Sequence, residues 1–473
     1  MTSPDLASIE KAIDQIFQIA ERFGLDPFPI YFEIVPPSIM YEFGAYGLPG
    51  RFSHWTHGRA YQQTKTLYDY GLSKIYELVI NTDPCYAFLM EGNSMTQNKL
   101  VIAHVIGHSD FFKHNAYFRR TNRKMLDSVS LNAERIRHYE FQHGRLEVEQ
   151  FLDAVLSIQE HVDPQPEMRE KARALAEQER REPHRPSLPT PYDDLLDLDR
   201  RIETPPEPAV PPRRFPEEPD KDLLQFIAEH APDLADWQRD IIQIVRSEML
   251  YFVPQMQTKI MNEGWAAYWH VRIMRELDLS DAEYLEFSHL HANVLAPSRH
   301  SLNPYLVGMR IFEDIERRWD NPTEEERREL GRTPGQGRAK IFEVREMEND
   351  VSFIRNYLTP AVIDDLDLYI YKLEGDEWKI VEKDGQKIRD MIVAGMTNFG
   401  FPYIVVEDGD YRRNRELYLK HLYEDQEIDI DYAEKTLRYV YQLWRRPVHL
   451  ETVLNGKGVV LTFDGEKNTK RVL

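Results

Sequence analysis

The chain has 473 residues, 42% hydrophobic and 29% charged, and a formal net charge of −21 at pH 7. That length exceeds what one hydrophobic core organises, so at least two domains are expected, and the acidity excludes a broad nucleic-acid-binding face, which needs a concentrated positive field. No window approaches the ~18 consecutive apolar residues of a membrane span, and the single cysteine, Cys85, excludes a disulfide framework and a cysteine-based zinc site.

The N-terminal run MTSPDLASIEKAIDQIF lacks the basic start and apolar centre of a signal peptide, so a cytoplasmic location is expected. Ile9, Ile13, Ile16, Phe17 and Ile19 recur at helical spacing and predict a helix over residues 5–24, ended near Gly24. DPFPIYFEIVPPSIM, with four prolines, reads as extended and loop-like. The next stretch, YEFGAYGLPGRFSHWTHGRAYQQTK, shows no helical period until about Ala60 and has the composition of a loop that lines a site. A helix from Tyr68 to Glu77 is expected, then one or two short strands in YELVINTDPCYAFLMEGN, broken at Asp83-Pro84. NKLVIAHVIGHSDFFKHN and residues 120–161 predict further helices, with Gly144 as a break.

Thirteen of the 29 prolines lie between Pro164 and Pro219 among dense charges, a mixture that cannot pack a core. Residues 165–220 are therefore expected to be a proline-rich charged insertion or linker, available to regulatory protein partners. Helical patterning resumes over 221–364, including one helix over about 339–357. Beyond residue 365 β-branched runs with Gly-Asp turns alternate with helices near 384–396 and 431–443. The fold class is thus mainly α: a helical body made of residues 1–164 and 221–364, with a smaller α+β domain over 365–473.

His104 and His108 lie four apart in the helical run, so both imidazoles leave one face a turn apart, the spacing that offers two nitrogens to one metal ion. The run is similar to the zinc-peptidase signature HExxH, with Val105 in place of the general-base glutamate. Two histidines need a third ligand, and Glu263 in NEGWAAYWH is the candidate, with small Ala267 beside it and His270 returning to within roughly 20° of it after two turns. His270 is then a fourth ligand or an acid–base group. Gly107 inside the first helix points to close approach by another element. Asp110 and Asn115 are placed to orient a ligand, and Glu91 precedes the helix. Arg51, His54, His57 and Arg59 around Trp55, and Ser298, Arg299, Asn303 and Tyr305 in APSRHSLNPYLVG, are candidates for binding an anionic substrate group. No Walker A, GxGxxG or GxSxG motif is present.

RFSHWTHGRAY, NKLVIAHVIGHSDFFKHN, RKMLDSVSLNAERIRHYE, LDAVLSIQEHVDP, NEGWAAYWH and NPYLVGMRIFEDI, in this order, resemble the stage V sporulation protein R (SpoVR) family along nearly the whole chain. The resemblance implies a link to the spore cortex, a peptidoglycan layer. A more distant likeness is to gluzincin metallopeptidases, in which a downstream glutamate in an E-G-W-A-x-Y context completes the ligand set, as Glu263 to Tyr268 would here. It implies a zincin-like body holding zinc, or another divalent metal such as iron, on His104, His108 and Glu263.

These readings predict a metal-dependent hydrolase or transferase acting on an amide in a peptidoglycan-related or protein substrate, with His270, Asp110 or Glu91 as base. Two alternatives stand beside it. One is an iron(II) oxygenase using two histidines and a carboxylate; the other is a non-catalytic regulatory or scaffold protein with a structural metal.

Overall fold

In the computed structural model, residues 6–69, 77–165, 214–297, 301–374, 377–424 and 426–473 are described. The elements run α1 (Leu6–Arg22), β1 (Ile30–Val35), α2 (Pro37–Tyr46), α3 (Trp55–Asp69), β2 (Glu77–Ile80), β3 (Cys85–Met90), α4 (Met95–His114), α5 (Met125–His143) and α6 (Arg145–Leu156). Then follow α7 (Leu223–His230), α8 (Asp236–Gln257), α9 (Lys259–Glu276), α10 (Asp281–Val294), α11 (Pro304–Asp320), α12 (Glu324–Glu329), α13 (Gly337–Met347), α14 (Asp350–Tyr357) and α15 (Pro360–Asp365). The remainder is β4 (Ile370–Glu374), β5 (Glu377–Glu382), α16 (Gly385–Met396), β6 (Ile404–Tyr411), β7 (Glu416–His421), α17 (Ile430–Trp444), β8 (Val448–Leu454), β9 (Lys457–Phe463) and β10 (Asn468–Val472).

The chain forms two compact units, Met1–Glu149 with Tyr251–Phe401, and Gln150–Leu250 with Pro402–Leu473. These breaks differ from the boundaries read at 164, 220 and 364. Residues 365–401 stay with the helical unit because Ile388 and Val393 of α16 join a core with Phe353, Ile354, Val362 and Ile363. The expected proline-rich insertion falls largely on residues 166–213, outside the described residues.

Helix α4 is the axis of the first unit. Ser94 and Gln97 close a capping box at its start. Its residues from Leu100 to Phe112 are all buried, as befits a helix surrounded by other elements. On one side lies a three-stranded sheet in the order β1-β3-β2, with β1 parallel and β2 antiparallel to β3. On the other, α9 packs against both α4 and α11. Glycine permits this approach. A Cβ on Gly107 would lie 2.7 Å from Ala266 Cα, and one on Gly264 would overlap the backbone of Gly308.

The second unit carries a five-stranded sheet in the order β10-β9-β8-β7-β6, antiparallel except for β7 and β8. Its parallel pair is joined through α17, which packs on β8 and β9. Trp444 anchors α17, fully buried, donating its indole N–H to the Arg415 carbonyl and stacking on Phe226 of α7.

Local expectations were met where periodicity was long, and corrected where prolines dominate. Residues 30–35 form a strand rather than loop, and α2 begins at Pro37, where a missing N–H and fixed φ suit the first turn. The loop expected up to Ala60 is interrupted by α2 and ends at Trp55, where α3 starts. The single helix expected over 339–357 is two, because the Asn349 side chain accepts from Ser352 N and starts α14.

A small-to-large change in a packed core costs about 1–3 kcal/mol and sometimes more. Because backbone obstructs the added methyl, Gly264→Ala is expected to cost at least the upper end of that range in urea unfolding. Gly58→Ala, in α3 with open space around it, is expected to leave stability unchanged or slightly raised.

Candidate metal centre

Four side chains from three elements converge: Glu77 at the start of β2, His104 and His108 on α4, and Glu263 on α9. One ligand atom from each lies within 4.8 Å of all the others, a group able to hold a metal ion. His104 Nε2 is 3.2 Å from Glu77 Oε1 and 3.5 Å from Glu263 Oε2, and His108 Nε2 is 3.3 Å from the same Glu263 oxygen. Both histidines are buried. Two imidazoles and a carboxylate, with a second carboxylate in reach, suit a divalent ion of the zinc or iron type.

The outer contacts fix which nitrogens face inward. Asn262 Oδ1 lies 2.8 Å from His108 Nδ1 and accepts from it, so Nδ1 carries a proton and Nε2 points into the cluster. His104 Nδ1 pairs with His270 Nδ1 at 2.8 Å, and His270 Nε2 with His291 Nδ1 at 2.9 Å, a line of three imidazoles leading away from the cluster. Helix α9 is held at its start by Asp350, whose carboxylate accepts from the N–H groups of Ile260 and Met261, just before Asn262 and Glu263.

Two inward atoms, His104 Nε2 and Glu263 Oε2, are buried with no hydrogen-bond partner. Such atoms cost about 1–3 kcal/mol each unless something satisfies them, and a cation at their centre does so. The electrostatics agree. Burial raises the Glu77 carboxyl despite the imidazoles beside it, while His108 and His104 overcome burial at Glu263 and hold it well below the carboxylate range. Burial lowers His108, but Glu263, Glu77 and Asn262 together lift it to about 9. Burial and the neighbouring histidines push His270 well below the usual imidazole range.

Beside it opens a cavity of about 360 Å³ that reaches Glu77, His104, His270 and Tyr305. The Tyr305 ring lies 5.7 Å from that of His104, and burial with the nearby Glu263 and Glu77 raises its phenol strongly, keeping it protonated.

The other residues singled out from sequence fall elsewhere. His270 stands behind His104, and the fourth carboxylate or nitrogen of the cluster is Glu77 rather than His270. Asp110, expected as a base, is corrected to a structural role: its oxygens accept from Asp26 N, Trp265 Nε1 and Arg345 Nη1, deep in the core. Glu91 is exposed at the end of β3, outside the cluster. Asn115 caps the turn after α4 and ties it to the carbonyls of Arg345 and Glu348. His54 and His57 are buried, His57 against Tyr46 and Phe52, while exposed Arg59 lies over Trp55. Arg51 donates to the Tyr46 carbonyl. None of these four lines the cavity. Asn303 caps α11 and donates to the carbonyls of Val294 and Ala296. Ser298 and Arg299 lie outside the described residues. Of the described residues of the proposed anion-binding set, Tyr305 alone reaches the cavity. Sequence reasoning missed Glu77, His291 and Asn262; only Asn262 carried a signal, standing next to Glu263.

The chain matches the family described as SpoVR like protein over residues 4–401, and the SpoVR-like C-terminal domain over 402–455. It belongs to the SpoVR family. The junction between the two SpoVR matches coincides with the break between compact units at Phe401 and Pro402. A relative from Escherichia coli (strain K12), described as "Uncharacterized protein YcgB", is 31% identical over 465 residues, covering 92% of this chain and 90% of that protein. No solved structure matches the SpoVR chain.

Two outcomes test this assignment of roles. Removing one partner of a buried ion pair costs about 3–5 kcal/mol, so Arg345→Met should lower unfolding stability by that amount through Asp110. Asn262→Ala should weaken zinc binding about 10–100-fold, the usual effect of losing an outer-shell partner, with circular dichroism unchanged.

Proposed function

We propose that His104, His108 and Glu263, with Glu77 beside them, hold one divalent cation, zinc in the first place, and that this SpoVR-family chain is a metal-dependent amide hydrolase or transferase of cell-envelope metabolism. The observation that carries the proposal is the convergence of four donors, two of whose atoms are buried without a partner. The SpoVR resemblance supplies the link to peptidoglycan-related substrates.

When bound, such a cation supplies Lewis acidity and lowers the pKa of water. The chain's own residues would divide the remaining work. Val105, fully buried and apolar, cannot take a proton. Glu77 faces the cluster from β2 and is the carboxylate placed to act as base in its stead, since burial makes its charged form the less favourable one. Glu263, held ionised, is the ligand. His270 and His291 orient His104, and the Tyr305 phenol offers a hydrogen bond at the cavity wall.

A second reading, iron and dioxygen chemistry, is favoured by the same division of roles. With Glu77 as base, the remaining set is two histidines and one carboxylate. Elemental analysis separates the readings. Protein purified without added metal or a histidine tag should carry about one equivalent of zinc; Glu263→Ala should lose it, and Glu77→Gln should retain metal but lose amide hydrolysis. Stoichiometric iron and activity only after anaerobic iron loading would favour the second reading, and protein that cannot be loaded with any divalent metal would sink both.

A further inference from the structure

The cavity beside the cluster has a chemical character of its own. Leu100 and Val101 of α4 form one wall, and Leu290 and Val294 of α10 form another. Its neutral polar groups include the Tyr305 phenol and the carboxamides of Gln97 and Asn293, and among the described residues no lysine or arginine lines it. Its floor is the Glu77 and His104 end of the cluster, and beyond that end the described lining offers a charged tail no counter-ion. At about 360 Å³ the space lies at the small end of ligand pockets, enough for one side chain or short acyl chain with its flanking amide and too little for an extended polymer.

We infer that this cavity is a specificity pocket for an uncharged aliphatic group of the substrate, bonded to the carbonyl that reacts at the Glu77 and His104 end. The inference rests on the metal-dependent reading and adds the substrate class. It also replaces the anion-binding expectation for Arg51, His54, His57 and Arg59, which stand away from the cavity. Each methylene buried in such a pocket strengthens binding about fourfold. Leu290 and Val294, both half-buried on α10, are the residues that set its width.

Three hydroxamates test this on the full-length zinc-loaded protein, followed by calorimetry. Acetohydroxamate probes the metal alone. Hexanohydroxamate adds an aliphatic tail, and adipic acid monohydroxamate carries a tail of similar length ending in a carboxylate. Hexanohydroxamate should bind at least about tenfold more tightly than acetohydroxamate, given the gain per methylene, and the carboxylate-tailed compound no more tightly than acetohydroxamate. Val294→Trp, which fills the pocket, should collapse the hexanohydroxamate to acetohydroxamate ratio with zinc content unchanged; Leu290→Glu, on the more open wall, should do the same by charge. A wild-type ratio near one, or equal affinity for the two long compounds, would overturn the pocket assignment while leaving the metal site standing. Protein that takes up no zinc, or zinc protein that binds no hydroxamate, would overturn both.

Discussion

Gly264 of α9 and Gly308 of α11 meet backbone to backbone, while Gly107 of α4 lies against Ala266 on the other side of α9. This double approach is the constraint on which the first unit depends. Helices usually pack with axes about 8–10 Å apart, and side chains at these crossings would push α9 outward by a methyl group or more. His104, His108, Asn262, Glu263 and His270 all sit on the two helices so clamped. A cluster whose donor atoms lie within 4.8 Å of one another tolerates no such spreading. The glycines therefore serve the site by serving the packing.

Two acidic groups on or beside α4, one buried and one half-buried, show opposite solutions to the same electrostatic problem. Asp110 is entirely enclosed, and every lone pair that matters is met by Arg345, Trp265 or the Asp26 N–H. Its charge is balanced within the chain, so it has nothing left to offer a ligand. Glu263 is placed among imidazoles, its Oε2 within ion-pair reach of His104 and His108 but without a hydrogen bond of its own. Burial of a charge is costly unless paired, and an unmet demand of that kind, repeated at His104 Nε2, marks a place where an added cation lowers the energy of the folded chain.

Much of this was legible in the sequence, though unevenly. The spacing of His104 and His108 and the small residues around Glu263 report directly on a helix face, because 3.6 residues per turn turns spacing into direction. Gly107 correctly announced a close neighbour. Glu77 could not be found this way: it lies on a strand, it bears no periodic relation to either helix, and only the antiparallel pairing of β2 with β3 carries it to the cluster. Asp110 misled for a related reason. It lies two residues past His108, which on a helix is a turn of about 200° to the other side, and sequence proximity concealed that. The Arg51 to Arg59 stretch was read as a loop by composition, yet a helix begins at Trp55, and both histidines at its start are buried.

The position of Glu77 bears on what Val105 means. In an HExxH helix the base and the two ligands share one element, so their relative geometry is set by the helix alone. Here the helix keeps the ligands, fills the base position with an apolar side chain packed at zero exposure, and receives a carboxylate from an edge strand instead. That exchange gives the core one more buried aliphatic group and places the second carboxylate on the cavity side of the cluster, where it lines the same wall that a substrate would touch. The two histidines with Glu263 and the Glu77 carboxylate are thus carried to one cluster by two separate parts of the fold, the first by helix packing and the second by strand register.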